Sequence, residues 1–144
     1  MKYYADTGFL LSLHLPEATS SAAAAAMRNV SEPLPLTPLV ALEFRNALRL
    51  AVFRQKLTEA ERLKAWKSFE KDLAAGVLEE GTIEIKAVHD EARSLCDQFT
   101  AAVGVRTLDL LHVACACALG RTEFLSFDQR QRALAQASGM NILP

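Results

Sequence analysis

Apolar residues along the chain fall into short extended runs and longer helical stripes, and their alternation predicts the architecture. Lys2 to Ala5 is aromatic-rich and suits a pleated strand. Gly8 to Leu15 follows as a short apolar helix halted at Pro16, and Glu17 to Val30, with the run Ala22 to Ala26, has high helix propensity. Pro33, Pro35 and Pro38 punctuate a second strand, Leu34 to Thr37, whose prolines point to a place near the sheet edge. Leu39 to Lys56 has the length and stripes of a long helix. Thr58 with Glu61 then forms a capping-box pattern for another, running to about Gly76. Thr82 to Lys86 alternates as a third strand, and His89 to Val103 predicts a helix closed by Gly104. Thr107 is placed to cap Leu108 to Leu119, which Gly120 ends. Glu123 to Phe127 is the fourth strand, Asp128 to Ser138 a helix, and Met140 to Leu143 a last short strand.

Strands separated throughout by helices predict a parallel sheet covered on both faces. The expectation is a three-layer α/β fold with about five strands. No internal repeat or linker composition divides the chain, so residues 1–144 are expected to form one domain.

Composition changes this picture little. An apolar fraction of 51% and a charged fraction of 23% are those of a soluble globular protein. The net charge of -1 advertises no sequence-independent nucleic-acid coat or anionic-membrane binder, although a local basic rim remains compatible with it. Cys96, Cys115 and Cys117 form an odd set without a Cys-x-x-Cys pair, which argues against a disulfide framework or zinc ribbon and for a reducing cytoplasm. The start lacks a signal-peptide pattern, and no apolar run reaches the roughly 18 residues of a membrane span. A cytoplasmic protein without membrane association is the expectation.

The candidate chemistry lies in four carboxylates. Asp6 ends the first strand and Asp128 the fourth, each before a helix. Ligands of open α/β sheets bind beyond the carboxyl ends of the strands, but Asp is also a favoured helix N-cap. Glu43 shares a helical stripe with Leu39, Val40, Ala47 and Leu50, away from Arg45 and Arg49. A carboxylate so placed needs a partner, a proton or a cation, and Arg54 is the plain candidate for an ion pair. Asp109 stands in the first turn of an almost wholly apolar helix, where the helix dipole favours it. Two like charges about 4 Å apart repel by roughly 4 kcal/mol at an effective dielectric of 20. Four gathered together must therefore take up protons or bind a cation. All-oxygen ligation suits Mg²⁺ or Mn²⁺, and such an ion can activate water and neutralise a phosphoryl group.

Ala5-Asp6-Thr7 with Leu10-Leu11, Leu42-Glu43 with Asn46-Ala47-Leu48, Arg106-Thr-Leu-Asp109-Leu-Leu-His-Val-Ala114 and Leu125-Ser-Phe-Asp128-Gln-Arg130 resemble the motifs of PIN domains. The likeness is strongest to the VapC-type toxin ribonucleases of toxin–antitoxin pairs, and its order and spacing span nearly the whole chain. The resemblance implies that Asp6, Glu43, Asp109 and Asp128 form the family's acidic catalytic quartet around Mg²⁺ or Mn²⁺. It implies a strand order 3-2-1-4-5, an RNA substrate cut by a metal-activated water to leave a 5′-phosphate and a 3′-hydroxyl, and a cognate antitoxin as partner. Gly8 departs from the pattern, since the family commonly carries a small polar residue there. A catalytically silent PIN-like interaction module is the alternative consistent with that departure.

Lesser signals surround these residues. Thr7 is a candidate hydrogen-bond partner near the metal or a helix starter, His112 a buried histidine sharing the face of Asp109, and Arg106 a phosphate contact or a surface ion pair. Arg45, Arg49, Arg54 and Lys56 offer a basic rim for RNA or a solvated helix face. Leu42, Phe44, Leu48, Val52 and Phe53 occupy more than one face of their helix, an excess suited to a homodimer or to an antitoxin helix in a groove.

Overall fold

In a computed structural model describing residues 1–144, five short strands alternate with helices. Strand β1 (Tyr3–Ala5) leads into α1 (Thr7–His14) and α2 (Ser20–Met27); β2 (Leu34–Leu36) leads into α3 (Pro38–Phe53) and α4 (Glu59–Ala74). Strand β3 (Leu78–Glu80) precedes α5 (Ile85–Leu95), a π-helical turn (Cys96–Thr100), α6 (Ala101–Val103) and α7 (Thr107–Ala118). The chain closes with β4 (Glu123–Leu125), α8 (Gln129–Ala137) and β5 (Asn141–Leu143). No helix is long and apolar enough to cross a membrane.

All ladders are parallel, and they form two sets. One has the order β1-β4-β5, with Ala5 opposite Leu125; the other pairs β2 with β3. Strand β2 also lies against β1, so the strands follow the succession 3-2-1-4-5, with no backbone ladder between 2 and 1. The prolines explain the gap. Leu34 N–H bonds to Val77 O, just before β3, so by alternation the backbone of Pro35 faces β1, where it has no N–H to give. On the other side of the seam, Glu32 Oε1 accepts from the N–H groups of Lys2 and Tyr3. The expected edge position for β2 is thus replaced by an internal seam, and β3 is the edge.

The expected third strand at Thr82 to Lys86 is displaced. Gly76, at φ +71°, ends α4 and sends the chain directly into β3, while Ile85 already starts α5. The five-residue alternation reflects Ile83 packing on the core and Ile85 standing exposed at a helix start. Arg106, not Thr107, is the N-cap of α7. The capping box of Thr58 and Glu61 forms in both directions, and Gly104, at φ +73°, closes α6.

Helices α1 to α4 pack among themselves in one group and α5, α7 and α8 in another, flanking the strands. In the first group Phe44 and Phe69 stack at 4.4 Å between centroids, with Trp66 and the His14 ring against them. At the sheet, Tyr4 stacks on Phe124 across the β1–β4 ladder at 5.6 Å. Both rings are fully buried, so the two central strands are locked by backbone and by side chains. Their carboxyl ends therefore stand in a fixed relation.

Candidate active site

Asp6 follows β1 and Asp128 lies three residues beyond Leu125 on the adjacent β4, at the point where the strand succession reverses. Each caps the helix that follows it. Asp6 Oδ1 accepts from Phe9 N–H at 2.7 Å, and Asp128 Oδ1 accepts from the N–H groups of Arg130 and Gln131 at 2.9 Å. Capping occupies one oxygen and leaves the other. The choice between cap and site is therefore not exclusive.

Ser126 joins the two. Its hydroxyl donates to Asp6 Oδ2 at 2.5 Å and accepts from Asp128 N–H at 3.0 Å. Its carbonyl takes Arg132 Nη1 at 2.8 Å, and its N–H bonds to Leu143 O. Ser126 is fully buried and Asp6 only 2% exposed. Burial raises the Asp6 carboxyl above the ordinary carboxylate range; Ser126, the Phe9 N–H and the His112 charge act against that, and Asp128 adds to it.

Glu43 projects from α3 and is half-buried. Its partner is a histidine, in place of the expected Arg54: His112 Nε2 hydrogen-bonds to Glu43 Oε2, and Thr7 Oγ1 donates to the same oxygen at 2.8 Å. A carboxylate can only accept, so the hydrogen between them sits on Nε2, while Nδ1 pairs with the Tyr4 hydroxyl at 3.1 Å. Burial pushes Glu43 up, but the His112 bond and charge and the Thr7 hydroxyl outweigh it and hold the carboxyl below its ordinary range. Thr7 thus starts α1 and clasps Glu43, leaving Asp6 to Ser126. His112, 2% exposed, is a satisfied core histidine that orients a carboxylate.

Asp109 lies in the first turn of α7, half-buried, and its Oδ1 accepts from Gln131 Nε2 at 3.1 Å. Gln131 is buried, and its own Oε1 has no hydrogen-bond partner. Arg106 is exposed, with extended backbone, at the N-cap of the same helix.

The four carboxylates are thus connected through intervening groups. Glu43 meets Thr7, the neighbour of Asp6; Asp6 reaches Asp128 through Ser126, and Asp128 reaches Asp109 through Gln131. Every hydrogen bond to Glu43 lands on Oε2, and every one to Asp109 or Asp128 on Oδ1, so each keeps an oxygen for a ligand. As they stand, no three of the His, Cys, Asp and Glu side chains are gathered closely enough to hold an ion. The donor chemistry nevertheless fits a hard divalent cation: four carboxylates, with no thiolate among them.

Ser126, Gln131 and Tyr4 were not singled out by sequence reasoning. For Ser126 the signal was present, a hydroxyl inside the apolar run Phe124-Leu125-Ser126-Phe127, where a buried polar group requires a partner.

A parallel α/β sheet with acidic residues at the carboxyl ends of its two central strands defines a switch-point protein with an all-oxygen acidic site. The chain belongs to the PIN domain family, whose model matches residues 3–137. No curated protein matches it in sequence. Among solved structures it is similar to VapC20 of Mycobacterium tuberculosis, described as a sarcin–ricin loop cleaving toxin. That match has 12% identity and a TM-score of 0.70, covering 99% of this chain and 100% of the other. It is also similar to FitAcB from Neisseria gonorrhoeae, with 15% identity, a TM-score of 0.67 and coverage of 99% and 96%. A third is VapBC2 from Rickettsia felis bound to a DNA fragment from their promoter, with 14% identity, a TM-score of 0.60 and coverage of 99% and 97%. At these identities the likeness is one of fold.

Proposed function

We propose that the chain is a divalent-metal-dependent endoribonuclease, the toxin component of a toxin–antitoxin pair, acting as a single PIN-like unit in the cytoplasm. The observation that carries this reading is the Asp6–Ser126–Asp128 bridge at the β1–β4 switch point, in a chain of the PIN family. One fold neighbour bears the description of a sarcin–ricin loop cleaving toxin, which supports the choice of substrate.

Asp6, Glu43, Asp109 and Asp128 would hold Mg²⁺ or Mn²⁺. When bound, such an ion lowers the pKa of water and neutralises charge on a phosphoryl group. The chain's own contribution is orientation. Ser126 and the Phe9 N–H fix both oxygens of Asp6, so its rotamer is set before any ligand arrives. His112 and Thr7 hold Glu43 by one oxygen and turn the other outward; Gln131 does the same for Asp109. The product ends are a 5′-phosphate and a 3′-hydroxyl. Exposed Leu42, Leu50 and Phe53 on α3 support a homodimer or antitoxin contact, because Phe53 is 83% exposed while Phe44 and Leu48 of the same helix are core.

Incubating the purified chain with RNA and Mn²⁺ tests the assignment. Cleavage is expected, together with its loss in Asp6→Asn at unchanged circular dichroism; undiminished cleavage by that variant refutes the site. The spacing of the carboxylates favours a second reading, a catalytically silent interaction module. Calorimetry separates the two: heat of Mn²⁺ binding that disappears in Asp6→Asn supports the enzyme, and none at millimolar metal supports the module.

A further inference from the structure

The charge of this chain is unevenly spread. Between Arg45 and Lys71 stand eight of its sixteen Lys and Arg but only three of its seventeen Asp and Glu. That local balance of +5 leaves -6 for the remainder, given a net charge of -1. The segment lies within the antiparallel pair α3 and α4, whose full span also holds Glu43 and Asp72 at its two ends. Between the two helices lies a cleft of about 150 Å³ lined by Arg45, Leu48, Arg49, Arg62, Leu63 and Trp66. The Arg45 guanidinium lies 4.3 Å from the centre of the Trp66 ring, and Arg62 is anchored on Glu59 Oε1 by two bonds of 2.9 and 2.6 Å. Arg45 and Arg49 are exposed and form no ion pair.

We propose that the α3–α4 hairpin is a second RNA contact, in which this arginine-walled cleft takes a backbone phosphate and the Arg45–Trp66 stack a base, outside the cutting site. The inference rests on the ribonuclease reading and specifies how a substrate is held. An acidic site on a body carrying -6 repels a polyanion, and charge is screened over about 8–10 Å. Attraction must therefore come from a basic surface that the strand touches. Single-stranded nucleic acid is held by a positive groove interleaved with aromatic and guanidinium planes, and the hairpin presents both. A cleft of this size seats one phosphate and is too small for a protein helix, which favours RNA over an acidic protein segment.

The placement also sets a length requirement. Arg45 and Arg49 follow Glu43 by two and six residues on α3, that is by about 200° and 240° of rotation at 3.6 residues per turn, on the far side from Glu43. A strand joining the cleft to the acidic site must round a helix about 10–12 Å across. RNA of about 4 nucleotides makes few contacts along that path beyond one of the two places, whereas RNA of about 16 covers both.

The test measures binding by fluorescence anisotropy with single-stranded RNA of those two lengths, at 50 and 200 mM salt. Full-length Asp6→Asn serves as the parent so that no RNA is cut. The parent is expected to bind the longer RNA at least tenfold more tightly. Adding R45Q and R49Q should remove that advantage and flatten the salt slope by about 0.7, the loss of the one phosphate contact. R45K with R49K keeps the charge and should recover most of the salt slope, which shows that the glutamine pair is not merely misfolded. Equal binding of the longer RNA by the parent and the glutamine pair overturns the proposal. So does binding of labelled polyglutamate by a protein that ignores RNA, which would assign the cleft to an acidic protein partner. Cleavage by wild type with hairpin-independent binding would sink this inference alone. Hairpin-dependent binding without any cleavage would sink the ribonuclease reading and leave RNA on the hairpin.

Discussion

Replacing Ser126 by alanine removes one oxygen atom from a fully buried position and disturbs two capped aspartates at once. The hydroxyl donates to Asp6 Oδ2 and accepts from Asp128 N–H. A hydrogen bond to a charged group contributes about 1.5–3 kcal/mol, and a neutral one about 0.5–1.5 kcal/mol. The variant should therefore lose about 2–4 kcal/mol at neutral pH. For a chain near 150 residues, each kcal/mol lowers the midpoint of melting by about 2–4 °C, so a fall of about 4–16 °C is expected. The loss should depend on pH in a defined direction. Burial already holds the Asp6 carboxyl above its ordinary range, and Ser126 opposes that rise. A carboxyl raised in the folded state binds protons there that the unfolded chain has released. Its contribution is most favourable below the unfolded value of about 3.9 and is lost as pH rises through the folded value. Without Ser126 the folded value moves higher still, so the extra penalty accrues with rising pH and is complete once Asp6 is ionised in the variant. Urea unfolding of both proteins from mildly acidic to neutral pH reads this directly: the gap should widen with pH and shrink in acid to the Asp128 share. A gap under about 0.5 kcal/mol, or one independent of pH, would refute the bridge.

Three further outcomes follow from other sites. Gly8 is the second residue of α1, and a Cβ there would lie 3.6 Å from Asp6 Oδ1, ordinary contact distance. Gly8→Ala should thus raise stability by about 0.5–1 kcal/mol in urea unfolding, and a loss would show that the space is not free. Burial lowers the His14 imidazole below its ordinary value, with Asp72 pulling the other way. A lowered base is neutral in the fold where the unfolded chain is protonated, so its contribution is whole above about 6.5 and lost as pH falls toward the folded value. The stability of His14→Gln should fall less over that window than that of wild type. Burial also pushes the Cys115 thiol up to about 11, whereas Cys96 is exposed. Alkylation of the native protein at mildly alkaline pH, followed by peptide mapping, should therefore mark Cys96 and spare Cys115.

Where local chemistry decides an element, the sequence was readable. Thr58 and Glu61 announce their helix because a capping box is completed within four residues, and glycines mark the ends of α4 and α6 for the same local reason. The third strand was misplaced because Leu78–Glu80 shows a single buried position. Its strand character comes from pairing with β2, a partner more than forty residues away. The π-helical turn at Cys96–Thr100 likewise has no local signature. At the candidate site, the residue types and strand ends of Asp6 and Asp128 were legible, as was the need of Glu43 for a partner. The identity of that partner was not, because His112 reaches it across 69 residues of sequence from a helix with no apparent claim on it.

The seam between β1 and β2 bears on how these side chains work together. Glu43 rides on α3, attached to the β2–β3 pair, while Asp6 and Asp128 belong to the β1-β4-β5 ladder. No main-chain rung ties one slab to the other; Glu43 is tethered across the joint by the side chains of Thr7 and His112. The distance from Glu43 to the two aspartates is therefore set by that side-chain clasp and by helix packing, and by no rung of the sheet.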